Sequence, residues 1–550
     1  MSTETLKVIP LGGLGEIGKN MMALEYGGHI LVIDCGLMFP QEEMLGVDLV
    51  IPDITYLRDN RERVLGILIT HGHEDHTGAL PYVLPELKVP VYAPPLARGL
   101  ISLKLKEHNL LRSATLESVR PGDELALGPF QVGFFQVSHS IPDATGLVID
   151  TPLGTVVHSG DFKLDHTPVD GKTTDLGLLA QLGRRGVLLL LSDSTYAEVP
   201  GYTPSEKTVG ETMDRIMAEA EGRVIVATFA SHISRVQQVM DAAGKHGRRV
   251  YVVGRSMIEN VNMALELGYL EAPPGLIAKV DELRSSPLNR IAVITTGTQG
   301  EPTSVLVRMA HGDHRLLKVI PGDTVVVSAS PIPGNEQVVN RTINNLFKEG
   351  AQVLYGRVAN VHVHGHGSQE ELKMLLSLVK PRYMVPVHGE YRHLMLHAQL
   401  AKTLGISPDH TFVLENGDVL EIGEGEAAVT GRVNSDYVYV DGLGDVGNIV
   451  LRDRKHLSRD GILVAIIVVD KRTGHIVGRP DLVSRGFADI DEAQGLLDEA
   501  RDLIAKGLDQ GGKHYAEWSF VNTKVKNDLG QFLYERTKRR PMILPIVMEV

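Results

Sequence analysis

One segment of the chain concentrates more potential chemistry than any other: Ile67-Leu68-Ile69-Thr70-His71-Gly72-His73-Glu74-Asp75-His76-Thr77-Gly78. An apolar strand runs straight into three imidazoles and a carboxylate. His71 and His73 alternate, so in an extended turn both side chains can point to one side. Asp75 and His76 are adjacent, which lets the turn aim them at a second position. Imidazole and carboxylate donors suit zinc or manganese, and a catalytic site keeps one position open for water. Surface loops can hold clustered histidines by chance, but here strand, spacing and glycine turn all agree. Further donors recur at later strand ends: His139 after Val137-Ser138, Asp161 after Ser159-Gly160, and His388 after Pro386-Val387. Singly, each would read as a turn or core residue. Together with the first cluster they supply enough donors for two metal ions.

Elements must bring these positions together. The first 160 residues read as short apolar strands broken by glycine turns: Leu6–Leu11, His29–Asp34, Gly66–Thr70, Val89–Ala93, Phe130–Val137 and Gly154–Ser159. A helical pattern lies around 95–111. From about 205 the texture changes. Thr203–Lys207 looks like a helix start, followed by strand Arg223–Thr228, helix Ser234–Lys245, strand Arg249–Val253 and helix Met257–Leu267. Strands near 291–295 and 324–328 complete an alternation that predicts a parallel sheet. His-rich segments return at 361–366 and 384–390, separated by a helix over Ser368–Val379. A last unit after about 450 holds strand Gly461–Val469, helices Asp491–Ala505 and Asn522–Lys538, and strand Met542–Met548. Pro545 makes the last strand an edge candidate, because it cannot donate to a ladder.

The chain has 550 residues, 43% hydrophobic and 22% charged. That is an ordinary globular composition with length for about three or four domains, and it excludes disorder of the whole chain. Lys plus Arg is 55 against 68 Asp plus Glu, a net charge of −13. A uniformly basic surface is excluded; a local basic groove is not. Cys35 is the single cysteine, so an intramolecular disulfide, a cysteine zinc ribbon and an iron–sulfur cluster are out. A chain this long without disulfides suits a reducing compartment. The opening MSTETLKVIP carries no signal-peptide pattern, and runs such as Ile462–Val469 fall far short of the ~20 residues a membrane span needs. The expectation is a soluble, cytoplasmic protein with no membrane partner.

The cluster His71-x-His73-x-Asp75-His76, followed by His139, Asp161 and His388, resembles the signature of the metallo-beta-lactamase superfamily. That resemblance assigns His71, His73 and His139 to one metal and Asp75, His76 and His388 to the other, with Asp161 between them. It makes Asp75 part of the catalytic apparatus as well as a ligand. Two such ions suit phosphodiester hydrolysis, because they acidify bound water and stabilise charge on attacking and leaving oxygens. The inserted β-α unit, with Ser192-Asp193-Ser194-Thr195, Val361-His362-Val363-His364-Gly365-His366 and Pro386-Val387-His388-Gly389-Glu390, resembles the beta-CASP nucleases. By that resemblance Asp193 orients a histidine and His366 is catalytic or contacts phosphate.

Nearly the whole chain is similar to the bacterial ribonuclease J family. Leu11-Gly12-Gly13-Leu14-Gly15-Glu16-Ile17-Gly18-Lys19-Asn20, Thr228-Phe229-Ala230-Ser231, Gly254-Arg255-Ser256-Met257 and Thr298-Gln299-Gly300-Glu301-Pro302 carry that similarity. It implies 5′-to-3′ exonuclease and endonuclease activity on single-stranded RNA. A 5′-monophosphate end would be preferred, and the roles would be mRNA decay and rRNA maturation. Implied too are homodimers or homotetramers and partners in RNA-decay complexes. The metals would be zinc, with manganese or magnesium as alternatives. The fold implied is an α/β metallo-beta-lactamase αββα sandwich with an inserted beta-CASP α/β domain and a small C-terminal α/β domain. Its expected bounds are 1–208 and 361–449 for the sandwich, 209–360 for the insertion, 450–464 for a linker and 465–550 for the C-terminal domain. Some relatives hold a structural ion, here expected as calcium, on main-chain oxygens of the segment matching Leu45 to Val47 and on Asp441. Family members often carry Ser at the position of His364 and Asn at that of His232.

Phosphate contacts can be argued from the residues themselves. Ser231, His232 and Ile233 lie between a strand and a helix, where N–H groups and a hydroxyl make an anion site. Arg235 and Arg255 could add fork donors. His362, Val363, His364, Gly365 and His366 could hold phosphates near the scissile bond, with Gly365 admitting close backbone approach. The blander reading of both segments is a helix cap and a tight turn.

Other features are discounted. Gly13-x-Gly15-x-x-Gly18 satisfies a dinucleotide pattern, but a strand hairpin rather than a helix is expected to follow. His311 and His314 read as loop residues, Cys35 as core, and Lys538-Arg539-Arg540 as a solvated helix end. Three rival functions remain: a DNA-processing beta-CASP nuclease, a small-molecule thioester or lactam hydrolase, and a silent RNA-binding scaffold. The insertion speaks against the hydrolase and the complete ligand set against the scaffold.

Overall fold

The computed structural model describes residues 4–41, 43–301, 303–332, 335–442, 444–473, 475–487, 490–509 and 518–550. Pro302 of the segments quoted above lies outside them. The chain divides into two compact units: Met1–Phe39 with Leu49–Val438, and Pro40–Asp48 with Tyr439–Val550.

Among the described residues, the first unit holds two large sheets whose inner faces share one apolar core. One has eight strands, from Ala427–Arg432 at one edge through Leu6–Gly12, Met21–Tyr26, His29–Ile33 and Val64–Leu68 to Leu116–Ser118 at the other. The second has six, from Pro381–Val387 through Val187–Asp193 and Gly154–His158 to Glu124–Leu127. Leu24, Leu31 and Ile33 of the first sheet meet Val132, Leu147, Leu189 and Val385 of the second in that core. Helices Leu176–Arg185, Gln369–Val379 and Tyr391–Thr403 pack on the outer face of the six-stranded sheet. The strand-rich beginning therefore folds as the expected sandwich. Gly13 to Gly18 are followed by the hairpin Met21–Tyr26/His29–Ile33, paired antiparallel, and no dinucleotide-type helix follows the glycines.

The alternating segment forms its own five-stranded, all-parallel sheet, in the order Arg249–Val253, Ile291–Thr295, Val224–Ala227, Thr324–Val327, Gln352–Tyr355. Parallel strands are buried on both faces, which is why these read as continuous apolar runs. Helices Lys207–Glu219, Ile233–Lys245 and Arg255–Glu266 cover one face, and Val305–Ala310 and Glu336–Lys348 the other. The chain then returns to the sandwich. Helix Gln369–Val379 begins with a capping box between Ser368 and Glu371, two orphan donors satisfied reciprocally.

In the second unit, strands Asp481–Arg485, Ile462–Val469 and Met542–Glu549 form a sheet with the last at its edge, as Pro545 requires. Helices Ile490–Asp509 and Trp518–Thr537 pack on it through Ile504, Leu508, Val525, Leu529 and Leu533. The segment expected as a linker over 450–464 is instead mostly helix, Asn448–Asp460, stopped by Gly461 at φ 74°. Its run of charges reads as a linker because Ile449, Val450, Leu451 and Leu457 are its only apolar residues, too few to announce a helix against the charges.

Leu45, Val47 and Asp441, expected to hold a structural ion, also lie in this unit. The cation placed against them is a side chain. The Arg454 guanidinium donates to the carbonyls of Gly46 at 2.8 Å and Leu45 at 3.4 Å, and to Asp441 Oδ2 at 2.7 Å. The guanidinium thus brings positive charge to oxygens expected to face an ion. The sequence hid it because Arg454 sits in the supposed linker.

Candidate active site

His71, His73, Asp75 and His76 leave the strand Val64–Leu68 through a tight turn into the short helix Glu74–Thr77. The turn is packed so closely that Gly36 cannot be replaced: a Cβ there would lie 1.6 Å from the Asp75 carbonyl oxygen. Asp161 follows Gly160, whose φ of 59° and approach to the Thr145 carbonyl likewise exclude a side chain. His388 ends the strand Pro381–Val387 at φ 54°. Such a conformation in a non-glycine residue is strained, and it persists where the surroundings over-determine it.

The structure brings all seven expected ligands together as two adjoining sets, His71 with His73 and His139, and Asp75 with His76, Asp161 and His388. His71 Nε2 and His139 Nε2 face His73 Nδ1 at 2.9 and 3.2 Å. In the other set His76 Nε2 lies 3.1 Å from Asp161 Oδ2, and His388 Nε2 lies 3.2 Å from Asp75 Oδ2. Asp161 Oδ2 also stands 3.7 Å from His71 Nε2 and 3.9 Å from His139 Nε2, so it touches both sets.

The outward nitrogens of His71, His76, His139 and His388 are engaged, and such contacts select the tautomer that leaves the inward nitrogen free. His139 Nδ1 donates to the Gly365 carbonyl at 2.7 Å. His71 Nδ1 meets the Thr70 hydroxyl at 3.1 Å, and that hydroxyl donates to Asp34 at 2.9 Å. His76 Nδ1 donates to the same Asp34 oxygen at 2.8 Å. His388 Nδ1 donates to Thr195 Oγ1 at 2.6 Å, and that hydroxyl donates to Asp193 Oδ1 at 2.8 Å. Asp193 Oδ2 accepts from His366 Nδ1 at 2.8 Å. Asp193 thus orients two histidines, His366 directly and His388 through Thr195. Asp34 and Thr195 were not singled out from the sequence. The only signal for Asp34 was a carboxylate ending a buried strand, and Thr195 lay inside a quoted motif without a role.

Electrostatics separates the two sets. Burial pushes His71 and His139 well below the ordinary imidazole range and His73 down to about 4, so this set is neutral at neutral pH. Burial also opposes charge on His76 and His388. There Asp161, Asp75, Asp34 and Asp193 outweigh it, holding His76 well above its usual value and raising His388 to about 10. Asp161 is buried and Asp75 half-buried, and the facing imidazolium groups hold both well below the carboxylate range.

The RNA-contact expectations divide. His366 stands at the ligand sets, its Nδ1 4.0 Å from Asp161 Oδ2. Gly365 could not carry a side chain, because a Cβ would lie 2.5 Å from the His139 ring. His364 Nδ1 donates to the His366 carbonyl at 2.8 Å. Ser231 is half-buried before helix Ile233–Lys245, and His232 is the residue at its cap. His232 Nε2 and His362 Nδ1 are buried without a hydrogen-bond partner, and their rings lie 6.4 Å apart.

One expectation is corrected. Arg235 is fully buried, bonded to Glu206 at 2.6 Å, the Val361 carbonyl and Gln238 each at 2.8 Å, and the Ser328 hydroxyl. Its fork is spent on the protein, because a buried guanidinium must be paired. Ile233 and Val363 turn into the apolar core of the insertion. Arg255 is exposed and pairs with Glu107 at 2.5 Å and Glu259 at 3.3 Å. Of the discounted residues, Cys35 is buried and His311 donates within its helix end. His314, expected in an exposed loop, is buried and accepts from the Leu317 N–H. Arg539 bonds the Phe487 carbonyl, and Lys538 and Arg540 lie over the Tyr534 ring.

Comparison with known proteins decides among the hydrolases this geometry would suit. Residues 14–191 match the metallo-beta-lactamase superfamily, 221–346 the ribonuclease J beta-CASP domain and 449–550 the ribonuclease J C-terminal domain. Residues 352–413 match the zinc-dependent metallo-hydrolase RNA specificity domain. Ribonuclease J 1 of Streptococcus pyogenes is 45% identical, covering 98% of this chain and 97% of its own. The chain belongs to the ribonuclease J family. Ribonuclease J2 of Bacillus subtilis is 43% identical over 100% of this chain and 99% of its own, and ribonuclease J of Thermus thermophilus 44% over 99% and 96%. A solved structure of a protein of unknown function from Enterococcus faecalis shares the fold, with a TM-score of 0.55 over 76% of this chain and 100% of its own at 16% identity. The sandwich is thus a metallo-beta-lactamase domain, the parallel-sheet insertion a beta-CASP domain, and the last unit contains the ribonuclease J C-terminal domain.

Proposed function

We propose that the chain is a metal-dependent ribonuclease that digests single-stranded RNA from a 5′-monophosphate end and also cuts internally. The observation that carries this is the pair of adjoining ligand sets, with His366 and Asp193 beside them, in a member of the ribonuclease J family. The donor chemistry fits divalent metal: imidazole nitrogens and carboxylates converge, with the outer nitrogens of His71, His76, His139 and His388 already committed. His71, His73 and His139 would hold one ion and Asp75, His76 and His388 the other, with Asp161 shared. Zinc is the metal this His-rich shell favours, with manganese or magnesium as alternatives. Bound divalent ions supply Lewis acidity and activate water for attack on phosphorus.

The chain's own groups do the rest. Asp193 accepts from His366 Nδ1, which leaves Nε2 to carry a proton toward the departing 3′-oxygen. Burial favours the protonated form of Asp193, but His366 and His388 outweigh it and keep Asp193 ionised. Ser231, His364 and His366 would line the path for phosphates, whereas the unpartnered nitrogens of His232 and His362 are buried. Binding through phosphates weakens as salt rises. Aromatic residues are 5% of the chain, so stacking along the RNA is sparse.

The test is digestion of RNA carrying 5′-monophosphate, 5′-triphosphate or 5′-hydroxyl ends, beside matched DNA and a His76→Ala control. Mononucleotide release fastest from the monophosphate end and lost in the variant supports the reading. Equal or faster DNA digestion moves the chain to a DNA-processing role. We further propose a cytoplasmic homodimer or homotetramer acting in mRNA decay and rRNA maturation alongside RNA-decay partners; mass measurement of the intact protein tests the assembly.

A further inference from the structure

The Asp193 carboxylate grips His366 at one ring atom only. A single hydrogen bond leaves the imidazole free to swing about that contact. Two aromatic neighbours run nearly parallel to the ring: His388, at 5.3 Å and 23°, and Tyr196, at 5.8 Å and 15°. Tyr196 is itself stacked on His364, with ring centroids 3.6 Å apart and planes 8° from parallel. His364 in turn is pinned, because its Nδ1 donates to the carbonyl of His366. The chain therefore closes a loop on itself: backbone of His366, ring of His364, ring of Tyr196, ring of His366. Tyr196 follows Asp193 by three residues, so the tyrosine and the carboxylate come from one turn of chain after the strand Val187–Asp193.

We propose that Tyr196, backed by His364, is a positioning residue that holds the His366 imidazole in its working orientation against Asp193. The inference rests on the proposed role of His366 in the cleavage reaction. The ring does the positioning, and the hydroxyl does not. A displacement of about 1 Å at a reacting group costs on the order of a hundredfold in rate, whereas one aromatic pair is worth roughly three- to tenfold. The second figure sets the expectation, since Asp193 and His388 remain.

The experiment is steady-state cleavage of a 5′-monophosphate RNA by the intact, metal-loaded enzyme and by Tyr196→Ala, Tyr196→Phe, His364→Ala, His366→Ala and Tyr196→Ala with His366→Ala. Tyr196→Ala is expected to lower kcat about tenfold with KM little changed. Tyr196→Phe restores it, and His364→Ala falls between. The double variant is no slower than His366→Ala alone, because a positioning residue has nothing left to position. Equal losses in Tyr196→Phe and Tyr196→Ala would overturn the proposal in favour of the hydroxyl. A raised KM at unchanged kcat would overturn it in favour of direct RNA contact. Multiplicative losses in the double variant would also overturn it, and do so even if Tyr196→Ala lowers thermal stability. Activity surviving in His366→Ala would remove the role of His366 itself, whereas loss there with none in Tyr196→Ala would remove only the role of Tyr196.

Discussion

The two ligand sets lie side by side, yet they solve the problem of burying charge in opposite ways. His71, His73 and His139 are gathered without a carboxylate of their own, and burial keeps them neutral. Asp75, His76, Asp161 and His388 form an internal salt of carboxylates and imidazolium groups, with His388 raised to about 10. The first set is ready for a cation. The second already holds positive charge as protons, which a metal must displace.

Asp161 is where the comparison breaks most severely, since it touches both sets. Asp161→Asn should cost more than about a hundredfold in cleavage, because outer-shell partners alone cost roughly ten- to a hundredfold. Metal content measured on the purified variant should fall along with activity. Asp34 supports both sets, through Thr70 to His71 and directly to His76. Asp34→Asn should weaken metal binding about ten- to a hundredfold at both. Among the seven ligands, Thr195→Val touches only His388 and should weaken the mixed set alone, toward the lower end of that range. Titration calorimetry resolves whether one or both binding steps move.

Proton counts sharpen the contrast further. Calorimetry at neutral pH in buffers of different ionisation enthalpy should show little proton release from the trihistidine step. The mixed step should release protons from His388 and His76. Equal release in both steps would contradict the assignment of charge.

The smallest effect expected is on the stability of the metal-free protein. His73, at about 4 when folded, binds fewer protons than the unfolded chain between that value and about 6.5. Its contribution is therefore lost as pH falls through that window. His388, at about 10, contributes fully below about 6.5 and loses its contribution as pH rises toward 10. Thermal melts across pH should decline on both sides, and His388→Asn should flatten the alkaline side only.

The sequence made the seven ligands legible because they cluster shortly after apolar strands, among glycines and serines, a local pattern. The sandwich, the parallel sheet and the Pro545 edge strand were legible through period and punctuation. What hid were partners brought from afar. Arg235 looked like a free fork because Glu206, which neutralises it, lies 29 positions earlier on another element. Ile233 and Val363 sat among polar motif residues, and only the packed core shows which way they turn. Arg454 escaped notice because a helix with many charges and few apolar residues resembles a tether.

The ligands are also spread unevenly along the chain. The trihistidine set is complete once residue 139 has been made, whereas the mixed set waits for His388, beyond the whole insertion. A protein of this kind is born attached to the very class of molecule it destroys. Through two-thirds of its own translation the nascent chain therefore lacks the last donor of the mixed set.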